Sequence, residues 1–227
     1  MAVPVIQTRT EAKVSPNSTT ITLTAPAGIT DGDVLVICIA SDGNPIFTFP
    51  TGFIEIGQVI GPSNRCTIGV TYKIASGEAG DYTITWSGPE QAVGEMYRID
   101  GAVSGNEIQD PNESNTGTSG IPTITPATAT DTDDSLVIVA MAMDDDDITE
   151  DGGGDADYVT EDVDRSDTGA NTCSIGVQSR GEATVATPPQ CDLTLTATEE
   201  FAALWFAIRS IAPPSVEVDN LFVLGFI

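Results

Sequence analysis

The chain writes RCTIGVTYK at residues 65–73 and nearly repeats itself with TCSIGVQSR at residues 172–180. Two readings compete: paired thiols that carry chemistry, or the visible part of a duplicated structural unit. The flanking sequence favours the second. TTITLTAP (19–26) is answered by PTITPATA (122–129), and Asp33 with LVICI (35–39) by Asp134 with LVIVA (136–140). DYTITWS (81–87) is answered by DLTLTAT (192–198), and AVGEMYRID (92–100) by AALWFAIRS (202–210), which sets Arg98 against Arg209. The offset grows along the chain, from 101 (Leu35 to Leu136) through 107 (Cys66 to Cys173) to 111 (Asp81 to Asp192). Collinear echoes with growing offsets predict a repeated unit whose second copy has longer loops. On this reading IGV is a core strand whose glycine, Gly69 or Gly176, allows a bulge or a close backbone approach. Cys66 and Cys173 become equivalent core positions that need not touch.

The echoed segments read as strands. TTITLTAP and DYTITWS alternate polar and apolar residues, as half-buried strands do, and DVLVICIA (33–40) is a β-branched run that predicts a strand covered on both faces. SDGNP (41–45) and ASGEAG (75–80) are turn signals. No stretch combines a 3.6-residue period with helix caps. The expected fold is all-β: a two-sheet, jelly-roll-like β-sandwich of about ten strands. It would span residues 19–212 as two pseudo-repeats, 19–103 and 121–212, between an N-terminal arm (1–18) and an apolar C-terminal arm (213–227). Two small sandwiches in tandem, joined by residues 104–120, are the rival arrangement. The single sandwich is preferred because five strands alone make a thin core.

Composition restricts function. Thirty-four acidic residues face 8 basic ones with no histidine, a formal net charge of −26. Such a chain repels nucleic-acid phosphate and anionic lipid, and favours solubility, cations or a basic partner. Without histidine there is no Ser-His-Asp or Cys-His apparatus and no histidine metal ligand. Paired carboxylates could still act as acid and base, but they are too numerous for the sequence to single out a glycosidase pair. The N-terminus has no charged segment leading into an apolar one, so a secretory signal is not expected, and no run is long enough to span a membrane. The four cysteines (38, 66, 173, 191) form no CxxC pair and are expected as buried thiols, with a Cys173–Cys191 bridge as the alternative.

Three stretches are candidates for function. MDDDDITEDGGGDADYVTEDVDRSD (143–167) packs carboxylates with flexible glycines, the chemistry a hard cation such as Ca2+ requires, and Asp144, Asp146, Asp151, Asp155 and Asp157 are the candidate ligands. Its spacing is not that of an EF-hand, and a solvated acidic loop is the competing reading. Trp86 and Trp205 are either a ligand platform or packing residues, with packing favoured. Arg98 and Arg209 are expected to anchor nearby carboxylates. NLFVLGFI (220–227) is apolar and has no counterpart in the repeat. Leu221, Phe222, Val223, Leu224, Phe226 and Ile227 are therefore candidate partner contacts, by strand addition to another subunit or by return to the same sandwich.

DGDVLVICIASDG, PTGFIEIG and VTYKIASGEAGDYTITWSGPEQAVGEMYRIDGA together resemble a β-sandwich module of tailed-bacteriophage virion proteins, capsid decoration and tail-associated proteins among them. The resemblance is clearest over residues 28–102 and looser over 121–212, and Phe53 stands where that module would carry tryptophan. It implies a non-enzymatic structural protein, most simply a capsid decoration (cement) protein at the virion surface. Its partner would be the major capsid protein or another virion protein, and it would assemble as a trimer or dimer. The alternative is a tail or fibre module, or a surface adhesin, that binds carbohydrate with the help of Ca2+.

Overall fold

The computed structural model describes residues 2–78, 80–102, 105–110, 113–149, 157–168 and 171–210. Among these, the first half contributes β1 (Val5–Thr24), β2 (Val34–Asp42), β3 (Phe47–Thr48), β4 (Ile54–Ile60), β5 (Cys66–Ile74) and β6 (Asp81–Asp100). The second contributes β7 (Ile108–Gln109), β8 (Ser114–Ser119), β9 (Thr123–Ile124), β10 (Ser135–Asp144), β11 (Val159–Arg165), β12 (Cys173–Glu182), β13 (Cys191–Asp192) and β14 (Glu199–Ile208). Sheet 1 runs β1-β6-β2-β5-β4, with β3 also beside β6; sheet 2 runs β11-β12-β10-β14-β7, with β8 also beside β14. Pairing is antiparallel throughout. The protein is an all-β sandwich in which the two sheets pack face to face.

Side chains alternate between the faces of a strand, and this alternation divides the core into three. The inward-facing residues Val34, Val36, Cys38 and Ala40 of β2 meet Leu136, Ile138, Ala140 and Ala142 of β10 in one central layer, with Ile68, Tyr97, Ile175 and Phe206. The opposite face of each central strand is covered too. Over sheet 1, the second part of β1 (Ile21, Leu23), the first part of β6 (Tyr82, Ile84, Trp86) and Phe47 cover Leu35, Ile37, Ile39 and Met96. Over sheet 2, Ile124, Ile148, Tyr158, Cys191, Leu193 and Leu195 cover Val137, Val139, Met141, Phe201 and Trp205. These outer layers explain why DVLVICIA and SLVIVAMAM are apolar without interruption.

The halves repeat one pattern of register. Asp42 lies opposite Cys66 and Ile39 opposite Gly69 in sheet 1; Asp144 lies opposite Cys173 and Met141 opposite Gly176 in sheet 2. Both edge strands carry a bulge at the same place, between Glu55 and Gly57 in β4 and between Thr160 and Asp162 in β11. A Cβ on Gly69 would lie 2.6 Å from the Phe47 ring, and one on Gly176 would lie 2.4 Å from Leu193. The glycine of IGV therefore admits a large side chain of the covering layer in each half.

Two expectations need correction. The Leu-Val-Ile echo at offset 101 is out of step by one residue. Leu35 faces the outer layer and Leu136 the central one, so the structural equivalence is Val34 with Leu136, offset 102. A single-residue slip reverses every side chain, and two continuous apolar runs give no alternation to detect it. Residues 5–18, expected as an arm, belong largely to β1, where Val5–Val14 pairs with Ala92–Asp100 of β6. The residues that face sheet 2 there are Arg9, Glu11 and Lys13 rather than apolar ones; they stay exposed at the sheet edge, where Arg9 pairs with Asp162 and Lys13 with Asp164 of sheet 2.

Candidate functional site

The repeat places acids at one end of the sandwich. β2 ends at Asp42 and β10 at Asp144, and in each case the next residue, Gly43 or Asp145, has a positive φ (71° and 63°). The N–H of that residue donates to Arg65 O (2.8 Å) in one half and Thr172 O (3.1 Å) in the other. Glu90 of β6 and Glu199 of β14 complete the equivalent sets, since Ala92 pairs with Ser41 and Phe201 with Met143. In the second half, Asp144, Asp145 and Glu199 each bring one carboxylate oxygen within 4.8 Å of the others. Oxygen-rich clusters of this kind suit hard cations such as Ca2+.

These acids crowd one another. Burial, then Asp145, pushes the Asp144 carboxyl up to about 6, against the pull of Arg65. Burial, then its hydrogen bond with Asp147 and the charges of Asp145, Asp147 and Asp144, pushes Glu199 up to about 7. Asp42 is raised by burial and by Glu90, and Glu90 by burial. Arg65 meets Asp144 at 3.4 Å, with two thirds of its side chain in solvent. Beside them, the Glu200 carboxylate accepts the Ser63 N–H (2.9 Å) and the Arg65 N–H (3.0 Å), which pins the β4–β5 turn of sheet 1 onto sheet 2. Ser63, Arg65, Thr118, Asp144, Glu199 and Glu200 are among the residues lining a cavity of about 260 Å³ there.

Of the sequence candidates among the described residues, only Asp144 belongs to this cluster. Asp146 offers its backbone carbonyl to Arg165 at 3.2 Å. Asp157 pairs with Arg180 at 3.4 Å and lies apart from the three-carboxylate group. Asp151 and Asp155 lie outside the described residues, as do Leu221, Phe222, Val223, Leu224, Phe226 and Ile227. Asp145 and Glu199 were not anticipated. For Glu199 the signal was the repeat itself, because the structural offsets that place Asp144 on Asp42 place Glu199 on Glu90; Asp145 falls on Gly43 and had no such signal.

The remaining candidates are framework. Trp86 and Trp205 are buried in the two outer layers, where Trp86 meets Phe47 edge-on and Trp205 donates to Glu113 at 2.8 Å. Arg98 pairs with Asp33 (2.6 Å) and Arg209 with Asp131 (2.5 Å), so the acid that serves Arg209 is Asp131 rather than Asp134. All four cysteines are buried and outside disulfides. Cys173 faces the central layer and Cys191 the outer one, so sheet 2 separates the pair considered for a bridge. No protein-family model matches the chain, nor does any curated protein or solved structure.

Proposed function

We propose that the chain is a non-enzymatic structural protein of a virion, a capsid decoration protein of a tailed phage, as the resemblance over residues 28–102 implies. The observation that supports this best is the disposition of charge. All eight basic side chains bond within the chain. Arg9 meets Asp162, and Lys13 meets Asp164 (2.5 Å). Arg65, Arg98, Arg180 and Arg209 pair with carboxylates as described above, and Lys73 pairs with Glu78 (2.6 Å). Arg165 bonds the Asp146 carbonyl. Thirty-four acids against 8 bases then leave a surplus of negative charge with no basic residue to neutralise it. A rigid module with an anionic exterior suits a coat that keeps particles apart in solution. The apolar segment 221–227 would make the contact to the shell or to a sister subunit, in a trimer or dimer.

The test is the copy number of this chain in purified particles, by quantitative mass spectrometry against the most abundant shell protein. Near-equal stoichiometry supports decoration, a few copies per particle place the chain in the tail or fibres, and absence removes the virion reading. Deleting 216–227 should abolish attachment and leave the sandwich folded.

The Asp144, Asp145 and Glu199 cluster favours a second reading, a cation-dependent adhesive module that binds carbohydrate. It predicts Ca2+ binding by calorimetry that Asp145→Asn weakens, together with chelator-sensitive signals on a glycan array.

A further inference from the structure

The two flanks of the sandwich, where sheet edges meet, are built differently. On one flank β4 faces β8 and β14, with Gly57 and Val59 turned inward and Gly57 close to Leu204. On the other, β1 faces β11. The positions equivalent to Gly57 and Val59 are Asp162 and Asp164, because they lie opposite Val177 and Ile175 as Gly57 and Val59 lie opposite Val70 and Ile68. The position equivalent to Leu204 is Glu95, since Leu204 pairs with Ala140 and Glu95 with Cys38. Glu95 has no exposed surface. Its Oε2 accepts the Tyr97 hydroxyl. Its Oε1 and the buried Oδ2 of Asp164 have no hydrogen-bond partner among the described residues.

Every element packed against Glu95 contributes to its surroundings. From β1, Arg9, Glu11 and Lys13 share its face, in register with Tyr97, Glu95 and Val93. Arg9 contacts Asp162 and Lys13 bonds Asp164, the two carboxylates that β11 turns inward. β2 places Cys38 directly opposite, and β12 turns Cys173, Ile175 and Val177 into the same core. Arg9 and Lys13 keep 38% and 41% of their side chains exposed, and Glu11 is exposed too, whereas Asp162 and Asp164 are only 11% and 12% exposed. Each inward carboxylate of β11 thus has one half-solvated cation, and ionisation of Glu95 adds a fully buried negative charge that has no cation of its own.

We propose that this flank is a proton-operated latch: it is closed when Glu95 carries a proton, and ionisation of Glu95 releases β1 from β11 while the central strands stay paired. On the other flank the inward positions Gly57, Val59 and Leu204 are apolar, with Glu55, Asp110 and Glu113 only lining the cavity beside them, so the backbone frame does not require charges at the inward positions. Burial, opposed by the Tyr97 hydrogen bond and by Arg9 and reinforced by Asp164 and Glu11, holds the Glu95 carboxyl up to about 7, well above its ordinary 4.5. The latch thus operates near neutral pH.

Hydrogen exchange on the full chain, corrected for intrinsic rates, tests the latch. Between about pH 5.5 and about pH 8.5, protection at residues 8–13 and 159–165 should fall by about tenfold or more relative to β2 and β10, and Glu95→Gln should abolish the fall. An equal fall in Glu95→Gln, no fall in the native chain, or a uniform loss over all strands overturns the proposal. Should Glu95→Gln not fold, the carboxyl carbon of Glu95 in the native protein decides by NMR. A midpoint near neutrality supports the latch, and one near that of an ordinary glutamate refutes it.

Discussion

The two flanks share strand order, register and even the position of a bulge, yet one is closed by Gly57, Val59 and Leu204 and the other by Asp162, Asp164 and Glu95 with Arg9 and Lys13. The backbone pattern determines which positions meet across the sheets, and leaves the chemistry of the meeting open. A charge is tolerable at such a position only if its neighbours answer it. The first prediction moves a charge to the flank with no answer. Leu204→Glu places a carboxylate where the neighbouring β4 positions are Gly57 and Val59. It should cost about 3–5 kcal/mol, enough to unfold a marginal domain, read as a loss of cooperative urea unfolding. A cost below about 1 kcal/mol would show that the flanks are interchangeable.

The two IGV glycines carry the comparison into the covering layers. Gly69 supports the rigid ring of Phe47, with Phe49 close behind, whereas Gly176 lies against the terminal methyls of Leu193 and Ile148. An aromatic ring cannot shorten and a leucine can change rotamer. Gly69→Ala should therefore cost more than Gly176→Ala, within an overpacking range of about 1–3 kcal/mol. Equal costs from chemical denaturation would mean that both layers yield alike.

A gentler change makes the flanks alike. Glu95→Leu with Asp162→Gly and Asp164→Val copies the apolar inward positions of the other flank, and leaves Arg9 and Lys13 partly exposed to water. Replacing buried charge with packed apolar groups is often neutral or stabilising by about 1–4 kcal/mol. The triple variant should match the native chain near pH 5 and exceed it by about 1 kcal/mol above neutrality, where native Glu95 must ionise in place. Destabilisation at both pH values would assign the charged flank a structural role that the other lacks.

Much of this was legible in the sequence, and for a consistent reason. Features that repeat were readable: the IGV glycine, the doubly covered DVLVICIA strand and the arginines at strand ends each occur twice. Features that break the repeat were not. Arg9, Glu11 and Lys13 alternate correctly for a strand, but a charged face does not resemble a buried one, so the first part of β1 read as an arm while its end, within TTITLTAP, read as a strand. The three-carboxylate cluster was half visible. Asp144 lies in the conspicuous acidic run, whereas Glu199 is 55 residues later in sequence and joins it only through the β10–β14 pairing. Sequence density drew attention to the loop, and strand register assembled the cluster.

The acidic end offers the smallest effect and a contrast with the latch. Asp144 and Glu199 titrate at about 6 and about 7 in the folded protein, above their ordinary 3.8 and 4.5. The folded state therefore binds more protons than the unfolded chain over this window. The stability they contribute is complete below about pH 4 and is lost as pH rises through about 6 to 7. Exposure and salt reduce the effect, because Arg65 and part of this end face water. A divalent cation would act in the opposite sense, since it binds the ionised carboxylates and relieves their repulsion. Adding Ca2+ above neutral pH should raise the melting temperature by a few degrees, about what 1 kcal/mol gives in a chain of this size, with less effect near pH 5 and none in Asp145→Asn. The latch should not respond to Ca2+, because its carboxylates already hold Arg9 and Lys13. If Ca2+ instead suppressed the Glu95-dependent loss of protection, the two acidic regions would be coupled through β10 and β12, and the flank could no longer be treated as independent of the end.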